Sequence, residues 1–341
     1  MVESLEFQIT NKCNINCYYC ANNPAANKTN EILKLDYVIK CIEDVNPQKV
    51  LFTGGEPALE WDRLVDCIHY AKTKNIEVIL GSNLTTLSRE KIDFLIDECN
   101  INCFHTSFND LDIDMSRKIR GIDEKQRDTL IANIEYIAKE RKFPIKVETI
   151  LLKETVDHYA DINQFLYNIG VKHHKMEFLL PLGHAQWESI PGKDEIKNAI
   201  IKTYREKAAD AILELSCCYF SPCYQDFEEI FSIKDDNFII HKCLDGRKVF
   251  YIMANGIFSP CYAFYRDDLP NIKDRSLTDI INGSELVKKI ENERNTRCNE
   301  CKHYRSDKNI SCNNGCWALM LSEVGNLNKL CYEYVTEKLK A

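Results

Sequence analysis

The sequence has neither a long basic run nor a long apolar run. Its 341 residues carry 44 Lys and Arg against 52 Asp and Glu, which gives a formal net charge of −8. Nucleic acid is bound largely through cationic side chains on phosphates, so this balance argues against it as the main partner. There is no stretch of about 18 apolar residues to cross a bilayer and no secretory signal. We therefore expect a cytoplasmic protein without a membrane partner.

Cysteine is abundant, with 17 residues in the chain. Disulfides are disfavoured in a reducing compartment, so clustered cysteines there indicate metal or redox chemistry. Four cysteines are not clustered and lie within segments of apolar periodicity, so we interpret them as small buried hydrophobic residues. These four are Cys41, Cys67, Cys99 and Cys103.

Three cysteines near the N-terminus follow an apolar run that predicts a strand. Cys13, Cys17 and Cys20 have the spacing C-x3-C-x2-C. Three thiolates can bind three irons of a 4Fe–4S cluster and leave the fourth iron without a protein ligand. An open metal position indicates chemistry at the metal, as it does in catalytic zinc sites. The spacing alone leaves zinc as an equal alternative.

The first half of the chain alternates between strand and helix patterns. This alternation predicts an α/β fold with a parallel sheet, right-handed crossovers and helices packed on the sheet. The predicted strands cover residues 5–10, 49–52, 76–80, 101–107, 145–152 and 176–180.

Polar segments follow three of these strands. They are the cysteine loop, Gly54-Gly55-Glu56 and Ser82-Asn83. Ligands of parallel sheets bind at the carboxyl ends of the strands, so we expect these segments to converge on one face.

The second half has a different pattern. The alternation stops after residue 183, and residues 193–214 predict a polar bridging helix. A hairpin with an Asn255-Gly256 turn is predicted over 248–259, and helices over 276–293 and 330–339. Apolar periodicity is too weak for an ordinary core, so we expect metal clusters to supply stability. The expected division is 1–183, 184–242 and 243–341.

The cysteine loop together with Gly54-Gly55-Glu56 resembles the radical S-adenosylmethionine (SAM) superfamily. This resemblance implies a partial (β/α)6 barrel and a 4Fe–4S cluster whose open iron is chelated by the methionine group of SAM. It also implies that an electron from the cluster cleaves the sulfonium, and that a 5′-deoxyadenosyl radical then abstracts a substrate hydrogen.

The resemblance gives the polar segments expected roles. Gly54 and Gly55 would let the backbone approach SAM closely. Glu56 would accept a hydrogen bond from the methionine ammonium. Ser82 and Asn83 would contact the ribose and the carboxylate.

Further residues are candidates for the same site. Tyr19 would lie near the adenine. Glu148 on the fifth strand either faces the site or is an exposed polar residue, and Arg120 either meets a carboxylate or is a solvated turn charge. His184 and the pair His173-His174 could lie near the site. We expect surface or structural roles for them instead, because no partner residue is evident in the sequence.

Seven cysteines of the C-terminal part, in their order, resemble the SPASM extension of radical enzymes, which binds two auxiliary 4Fe–4S clusters. Three clusters are thus expected in all. The interleaved pattern of that family implies one set of Cys243, Cys261 and Cys316, and a second set of Cys298, Cys301, Cys312 and Cys331.

Two features of this pattern leave alternatives open. Ten residues separate Cys301 from Cys312, more than is usual, and we interpret 302–311 as an insertion. A zinc ribbon formed by Cys298, Cys301, Cys312 and Cys316 is the alternative to iron.

The first auxiliary set is one ligand short. The missing ligand is Cys217, Cys218 or Cys223, or else that iron is open to substrate. Cys223 is also a candidate hydrogen-atom donor to a carbon radical, which would give epimerisation. A free structural thiol is the alternative for Cys223.

Members with this extension mostly modify peptides or proteins, so the resemblance implies a maturase that forms a crosslink, an oxidation or an epimer. A radical SAM dehydrogenase of a small molecule is the alternative enzyme. An iron–sulfur electron carrier is the alternative outside enzymes, although it has no need of the glycines and Ser82-Asn83.

Two kinds of partner follow from this assignment. One is a reductant such as flavodoxin or ferredoxin. Only twelve residues precede Cys13, so we expect no N-terminal peptide-recognition domain. A separate leader-recognition protein, or direct binding of the substrate in the barrel mouth, would replace that domain.

Overall fold

One sheet of ten strands organises the part of the chain that the structure describes. The structure, a computed structural model, describes residues 2–21, 30–216, 227–241, 243–266, 268–292, 315–325, 327, 334–335 and 337–338. The strands are β1 Ser4–Gln8, β2 Lys49–Thr53, β3 Glu77–Gly81, β4 Cys103–Ser107, β5 Ile145–Leu151, β6 His173–Phe178, β7 Ile212–Leu215, β8 Phe238–Ile240, β9 Val249–Ile252 and β10 Phe258–Ser259.

The sheet has the order β10-β9-β1-β2-β3-β4-β5-β6-β7-β8. All neighbouring strands from β9 to β8 are parallel, and only the β9–β10 pair is antiparallel. The predicted α/β class and the six predicted strands are therefore confirmed. The largest difference is at β6, which begins at His173 rather than at residue 176.

Helices connect the strands. The α-helices are α1 Leu35–Val45, α2 Trp61–Thr73, α3 Arg89–Asp93, α4 Ile113–Arg120, α5 Glu124–Glu135, α6 Tyr159–Asn168, α7 Lys193–Glu206, α8 Glu228–Phe231, α9 Leu277–Gly283, α10 Glu285–Asn292 and α11 Trp317–Glu323. None of the helices in the described ranges has the length and apolarity needed to cross a bilayer.

The strands bury alternate residues under these helices. In β2, Val50 and Phe52 are fully buried, and they share an apolar cluster with Cys41 of α1 and Cys67 of α2. Fully burying one such side chain contributes about 1.5–3 kcal/mol, so this cluster stabilises the scaffold of the first half. The predicted burial of Cys41, Cys67 and Cys99 is confirmed, whereas Cys103 is only half-buried.

The alternation does not stop at residue 183, so that prediction was wrong. The predicted helix over 193–214 ends at Glu206, and β7 and β8 follow it in the same sheet. α7 is not polar all round, because it buries Ile196 and Ile200. Strands of four and three residues are too short to give a clear period in the sequence.

The predicted hairpin is confirmed as β9 and β10, with Gly256 at φ +82°. Because β9 pairs with β1, the sheet receives strands from all three expected segments of the chain. The predicted helix over 276–293 is two helices separated by Ser284, and α11 was not predicted. The predicted helix over 330–339 lies mostly outside the described residues.

The C-terminal half has more of an apolar core than expected. Phe264, Trp317 and Leu319 are buried in one cluster with residues of β6, α7 and β7. Cys261 and Cys316 belong to this cluster. The expectation that this half lacks an ordinary apolar core was therefore wrong for the described residues, and the expected stabilisation by metal clusters stays a prediction.

Candidate active site

A cavity of about 250 Å³ lies at the carboxyl ends of β2 to β5. The cysteine loop and the segments after β2 and β3 all border it, so the expected convergence is observed. The predicted residues that line it are Cys13, Cys17, Tyr19, Cys20, Gly54, Gly55, Ser82, Asn83 and Glu148, and Arg120 and His184 line it as well.

The two glycines hold the cysteine loop in place. A Cβ on Gly54 would lie 2.6 Å from the carbonyl oxygen of Thr10, and one on Gly55 only 2.0 Å from that of Lys12. The amide of Gly55 donates to Thr10 and the amide of Glu56 to Lys12, each at 2.7 Å. The backbone of the chain itself therefore requires glycine here, whatever the ligand requires.

Glu56 does not line the cavity, which differs from its expected contact with a ligand. Its carboxylate is fully buried and accepts hydrogen bonds from Ser82 Oγ at 2.8 Å, the Asn83 amide at 2.7 Å and the Ala58 amide at 3.0 Å. Burial raises the pKa of Glu56, and these hydrogen bonds oppose that shift. Glu56 thus joins the loop after β2 to the loop after β3.

Asn83 connects the loop after β3 to the cysteine loop. Its Nδ2 donates to Asn14 Oδ1 at 2.8 Å and to Cys13 Sγ at 3.8 Å. Its Oδ1 accepts from Thr85 Oγ1 at 2.6 Å, and Asn14 donates to the same hydroxyl at 2.7 Å. This network fixes the position of Cys13.

The three thiols suit a metal cluster better than an empty site. Although the Cys13 residue as a whole is exposed, partial desolvation of its sulfur, together with the charges of Glu56, Cys17 and Cys20, raises the pKa of Cys13 to about 12. Crowded thiols of this kind ionise when a metal ligates them, because the cation then supplies the missing positive charge. Thiolates are the usual ligands of iron–sulfur clusters, so these three residues fit such a cluster by their chemistry.

Arg120 is a buried cation in the cavity wall. It is only 2% exposed, so the alternative of a solvated turn charge was wrong. Its Nη1 donates to the Ser107 carbonyl at 2.5 Å, and its Nε has no hydrogen-bond partner among the described residues. A buried guanidinium without a carboxylate partner is costly, which indicates an anionic ligand in this cavity.

Tyr19 is fixed between the cysteine loop and β5. Its hydroxyl accepts a hydrogen bond from Asn109 Nδ2 at 2.7 Å, and Asn109 Oδ1 accepts from the Ile150 amide at 2.9 Å. Asn109 was not predicted from the sequence. Its place directly after β4 is the only signal that could have identified it.

Glu148 faces the cavity, which decides between its two predicted orientations. Its Oε1 lies 3.4 Å from the Nζ of Lys175 on the neighbouring strand. Lys175 was not predicted. Its place on the polar side of an alternating strand is a signal that the sequence contains.

The histidines divide between two roles. His184 lines the cavity, and its amide donates to the Cys20 carbonyl at 3.1 Å. Gly183, at φ +67°, permits this approach. His174 is structural, because its ring contacts Asn163 Oδ1 and Thr149 Oγ1 at 2.9 Å each.

The C-terminal thiols form a second, more buried group. Cys261 Sγ accepts from the Ala263 amide and Cys316 Sγ from the Leu319 amide, each at 3.4 Å. Burial, with the charges of Asp245, Cys316 and Cys243, raises the pKa of Cys261 well above its usual value. These three cysteines are the described members of the first predicted auxiliary set.

The other predicted cysteine ligands lie outside the described residues. They are Cys217, Cys218, Cys223, Cys298, Cys301, Cys312 and Cys331.

Comparison with protein families identifies the class of the protein. The model of the radical SAM superfamily matches residues 7–182, and the SPASM iron–sulfur cluster-binding domain matches residues 243–303. The chain therefore belongs to the radical SAM superfamily. It is a radical SAM enzyme with a C-terminal SPASM domain, and its cofactors are SAM and iron–sulfur clusters.

Characterised relatives are distant. The GTP 3′,8-cyclase of Pasteurella multocida is 30% identical over 51% of this chain and 52% of its own length. The AdoMet-dependent heme synthase of Nitratidesulfovibrio vulgaris is 23% identical over 88% of this chain and 85% of its own. This chain thus spans about half of the cyclase and most of the heme synthase.

Solved structures share the fold. SuiB of Streptococcus suis, bound to its precursor peptide SuiA, has a TM-score of 0.73 at 17% identity, covering 97% of this chain and 76% of SuiB. Native anSMEcpe with bound AdoMet has a TM-score of 0.69 at 18% identity, covering 98% of this chain and 95% of that one. These similarities confirm the predicted partial barrel with a C-terminal domain.

Proposed function

We propose that this enzyme is a peptide or protein maturase that abstracts a hydrogen atom from its substrate to form a crosslink, an oxidised residue or an epimer. The observation that carries the proposal is the cavity itself. Three thiols, the two glycines, Ser82-Asn83 and Arg120, a buried cation without a carboxylate partner among the described residues, border one space of about 250 Å³.

Cys13, Cys17 and Cys20 hold a 4Fe–4S cluster in this proposal. When bound, a reduced cluster supplies one electron, which cleaves SAM to methionine and a 5′-deoxyadenosyl radical that takes a hydrogen atom from the substrate. The contribution of the protein is to fix these thiols through Asn83 and the hydrogen bonds of Gly55 and Glu56.

The remaining cavity residues bind SAM. Arg120 supplies the cation for the methionine carboxylate, since its guanidinium has no carboxylate partner among the described residues. Ser82 and Asn83 contact the ribose and the carboxylate, and Tyr19 borders the adenine. Gly54 and Gly55 bring the backbone close to SAM, and Glu148 contributes from β5. Glu56 acts by positioning Ser82 and Asn83 rather than by touching SAM.

Two auxiliary 4Fe–4S clusters complete the proposed set of three. Cys243, Cys261 and Cys316 hold one, with Cys217, Cys218 or Cys223 or an open iron as the fourth position. Cys298, Cys301, Cys312 and Cys331 hold the other.

Three further roles belong to the same proposal. Cys223 is either a ligand or a hydrogen-atom donor. A flavodoxin or ferredoxin supplies electrons, and a separate protein recognises the leader if the barrel mouth does not. The segments 1–183, 184–242 and 243–341 serve as the SAM barrel, the bridge and the auxiliary-cluster region.

A peptide substrate is supported by the fold shared with SuiB, whose structure contains a precursor peptide. A small molecule is the second candidate. It is favoured by the heme synthase relative, which matches nearly the whole chain. The two candidates differ in the source of the abstracted hydrogen.

Formation of 5′-deoxyadenosine tests the proposal. We expect anaerobically reconstituted protein with SAM and dithionite to form it, and iron content to approach about twelve per chain for three clusters. Cys13→Ala should lose about four irons and all 5′-deoxyadenosine. Cys67→Ala, which removes a thiol of the α2 core, is the matched control and should keep both.

Deuterium transfer separates the two substrates. The enzyme is incubated with a perdeuterated tryptic digest or with a perdeuterated small-metabolite extract, and deuterium in 5′-deoxyadenosine is measured by mass spectrometry. Deuterium from the digest supports the maturase. Deuterium from the small-metabolite extract alone overturns it in favour of the second candidate.

A further inference from the structure

The inner face of β5, β6 and β7 carries an array of charged side chains beside the cavity. Glu148, Lys175 and Glu214 occupy directly paired positions on these three adjacent strands. Lys146 and His173 form the next pair of the same face, towards the amino ends of the strands. The array thus extends from the cavity wall across the sheet.

The negative charge of Glu214 is balanced within the array by the positive charge of Lys146. Glu214 is buried, with Lys146 Nζ and His173 Nε2 each 2.7 Å from its Oε2. Although burial opposes ionisation, the hydrogen bond from His173 and the charges of Lys146 and Lys175 hold the pKa of Glu214 well below its usual range. Lys146 therefore balances the charge of Glu214, although Glu214 Oε1 has no hydrogen-bond partner among the described residues.

The charges of Lys175, Glu148 and Glu177 do not balance one another. Lys175 forms ion pairs with two carboxylates, that of Glu148 at 3.4 Å and that of Glu177 in close contact. All three side chains are largely buried, with exposed fractions of 15% for Lys175, 27% for Glu148 and 17% for Glu177. Among the described residues, one cation between these two carboxylates leaves an excess negative charge beside the cavity.

Lys175 is positively charged near neutral pH. Burial opposes it, but Glu177, Glu148 and Glu214 raise the pKa of Lys175 well above its usual value. Lys175 therefore stays charged near neutral pH, and the excess remains negative. Poorly solvated charge is unfavourable unless it is paired, so this part of the array is complementary to a cation.

Arg120 does not supply that cation. It borders the same cavity, yet it lies outside ion-pair distance of the carboxylates in the described chain. Its buried, unpartnered Nε points instead to an anionic group in the cavity. The cavity thus has one wall suited to an anion and another suited to a cation.

We propose that Glu148, Lys175 and Glu177 form a binding site for a cationic group of the substrate, which is an ammonium or a guanidinium. In a peptide this group is a lysine or arginine side chain or the N-terminal amine. This inference rests on the function proposed above and specifies the substrate that the maturase accepts.

SAM also carries a cationic ammonium and is the competing source of the cation. The position of Glu177 argues for the substrate. Glu148 borders the cavity with the thiols, whereas Glu177, two residues further along β6 than Lys175, is not part of the cavity lining. A cationic group that contacts both Glu148 and Glu177 would therefore extend beyond the space assigned to SAM, which favours a second molecule.

Equilibrium binding without reductant tests this inference separately from turnover. Three fluorescent hexapeptide pools of Gly and Ser, each with one fixed Lys, Gln or Glu, are titrated against reconstituted protein in the presence of SAM. We expect the Lys pool to bind at least about tenfold more tightly than the Gln pool, and the Glu pool to bind most weakly.

Glu177→Gln removes the excess charge and keeps the shape of the side chain. We expect it to lower the affinity for the Lys pool about tenfold while the affinity for SAM, from equilibrium dialysis, stays unchanged. Glu140→Gln is the matched control, because Glu140 also forms an ion pair, with Arg89, but is half-exposed and is not part of the cavity lining. The control should change neither affinity.

Three outcomes overturn the inference. One is equal binding of the three pools, another is an unchanged Lys preference in Glu177→Gln, and the third is a loss of SAM affinity that assigns the triad to SAM. If Glu177→Gln does not fold, judged by its thermal melting curve, the unsubstituted protein is titrated with the Lys pool after acetylation of its ammonium groups, which should bind as weakly as the Gln pool. Charge-selective binding without any 5′-deoxyadenosine would instead refute the proposed function alone.

Discussion

The thiols of the two halves lie in opposite environments. Cys13 is exposed and Cys17 and Cys20 are half-buried at the edge of a cavity, whereas Cys261 and Cys316 are buried in an apolar cluster. The difference resembles that between catalytic metal sites, which keep an open position, and structural sites, which are closed. The N-terminal thiols thus border a space that a ligand can enter, whereas Cys261 and Cys316 are enclosed by apolar side chains.

The two sites are also held differently. The cysteine loop is fixed by backbone hydrogen bonds to Gly55 and Glu56, which do not require a metal. The C-terminal thiols instead replace apolar side chains within a core and receive amide donors from Ala263 and Leu319. Loss of a thiol at the first site should therefore remove activity before stability, and loss of a thiol at the second should remove both.

The largest effect is expected for Gly55→Ala. The added Cβ would lie 2.0 Å from the Lys12 carbonyl oxygen, so the cysteine loop must move. We expect a loss of about 3 kcal/mol in the free energy of unfolding and no formation of 5′-deoxyadenosine. Denaturant unfolding and iron analysis measure this.

Gly283→Ala is the control for that change. A Cβ on Gly283 meets nothing within 4 Å, so the free energy of unfolding should stay the same or rise slightly. Equal destabilisation by both substitutions would show that the close approach at Gly55 has no structural importance.

Cys316→Ala sharpens the comparison of the two sites. It removes a buried thiol at the start of α11 and a ligand of the proposed auxiliary cluster. We expect a loss of at least about 2 kcal/mol in unfolding free energy together with loss of iron. Cys13→Ala should lose iron with a much smaller change in unfolding free energy, because Cys13 is exposed. Equal destabilisation would contradict the distinction between open and closed sites.

The scaffold of the first half should weaken in acid through His174. Burial lowers the pKa of His174 to about 3 from 6.5. The unfolded chain therefore binds a proton between these pH values that the folded chain excludes, and stability falls as pH falls through this window. One such proton changes the free energy of unfolding by up to about 1.4 kcal/mol per pH unit.

Denaturant titrations at pH 7, 6 and 5 measure this slope. His174→Gln should flatten it, because an amide does not titrate. An unchanged slope in the variant would assign the acid sensitivity to other groups.

The smallest effect is expected for Tyr19→Phe. It removes the hydrogen bond from Asn109 and leaves that buried donor without its partner, at a cost of about 1 kcal/mol. SAM should bind roughly fivefold more weakly by equilibrium dialysis, with iron content unchanged. Tyr18→Phe, which removes a contact with Glu154, is the control for a neighbouring ring outside the cavity lining.

Much of the first half was predictable because its signals are local. Strands with alternating burial, such as β5, and helices with a buried stripe, such as α2, give clear periods over several residues. The segments after β2 and β3 converge because parallel strands end at one edge of a sheet. β7 and β8 were missed because strands of four and three residues are too short to show a period.

Within the site, residue types were easier to predict than contacts. Glu56 follows two glycines, and nothing in the local sequence shows that its carboxylate turns towards Ser82 and Asn83, since these lie 26 and 27 positions away. The burial of Arg120 likewise depends on the position of Ser107, which the helix pattern of α4 does not contain.

The sequence by itself determined the spacing of the cysteine ligands, the order of strands and helices in the first half, and the class of chemistry. These depend on residue identity and on short periods along the chain. Only the tertiary structure decided which charges pair across β5, β6 and β7, which glycine meets which carbonyl, and that Arg120 has no carboxylate partner among the described residues. Such contacts join residues far apart in the chain, so packing and desolvation of the folded molecule determine them.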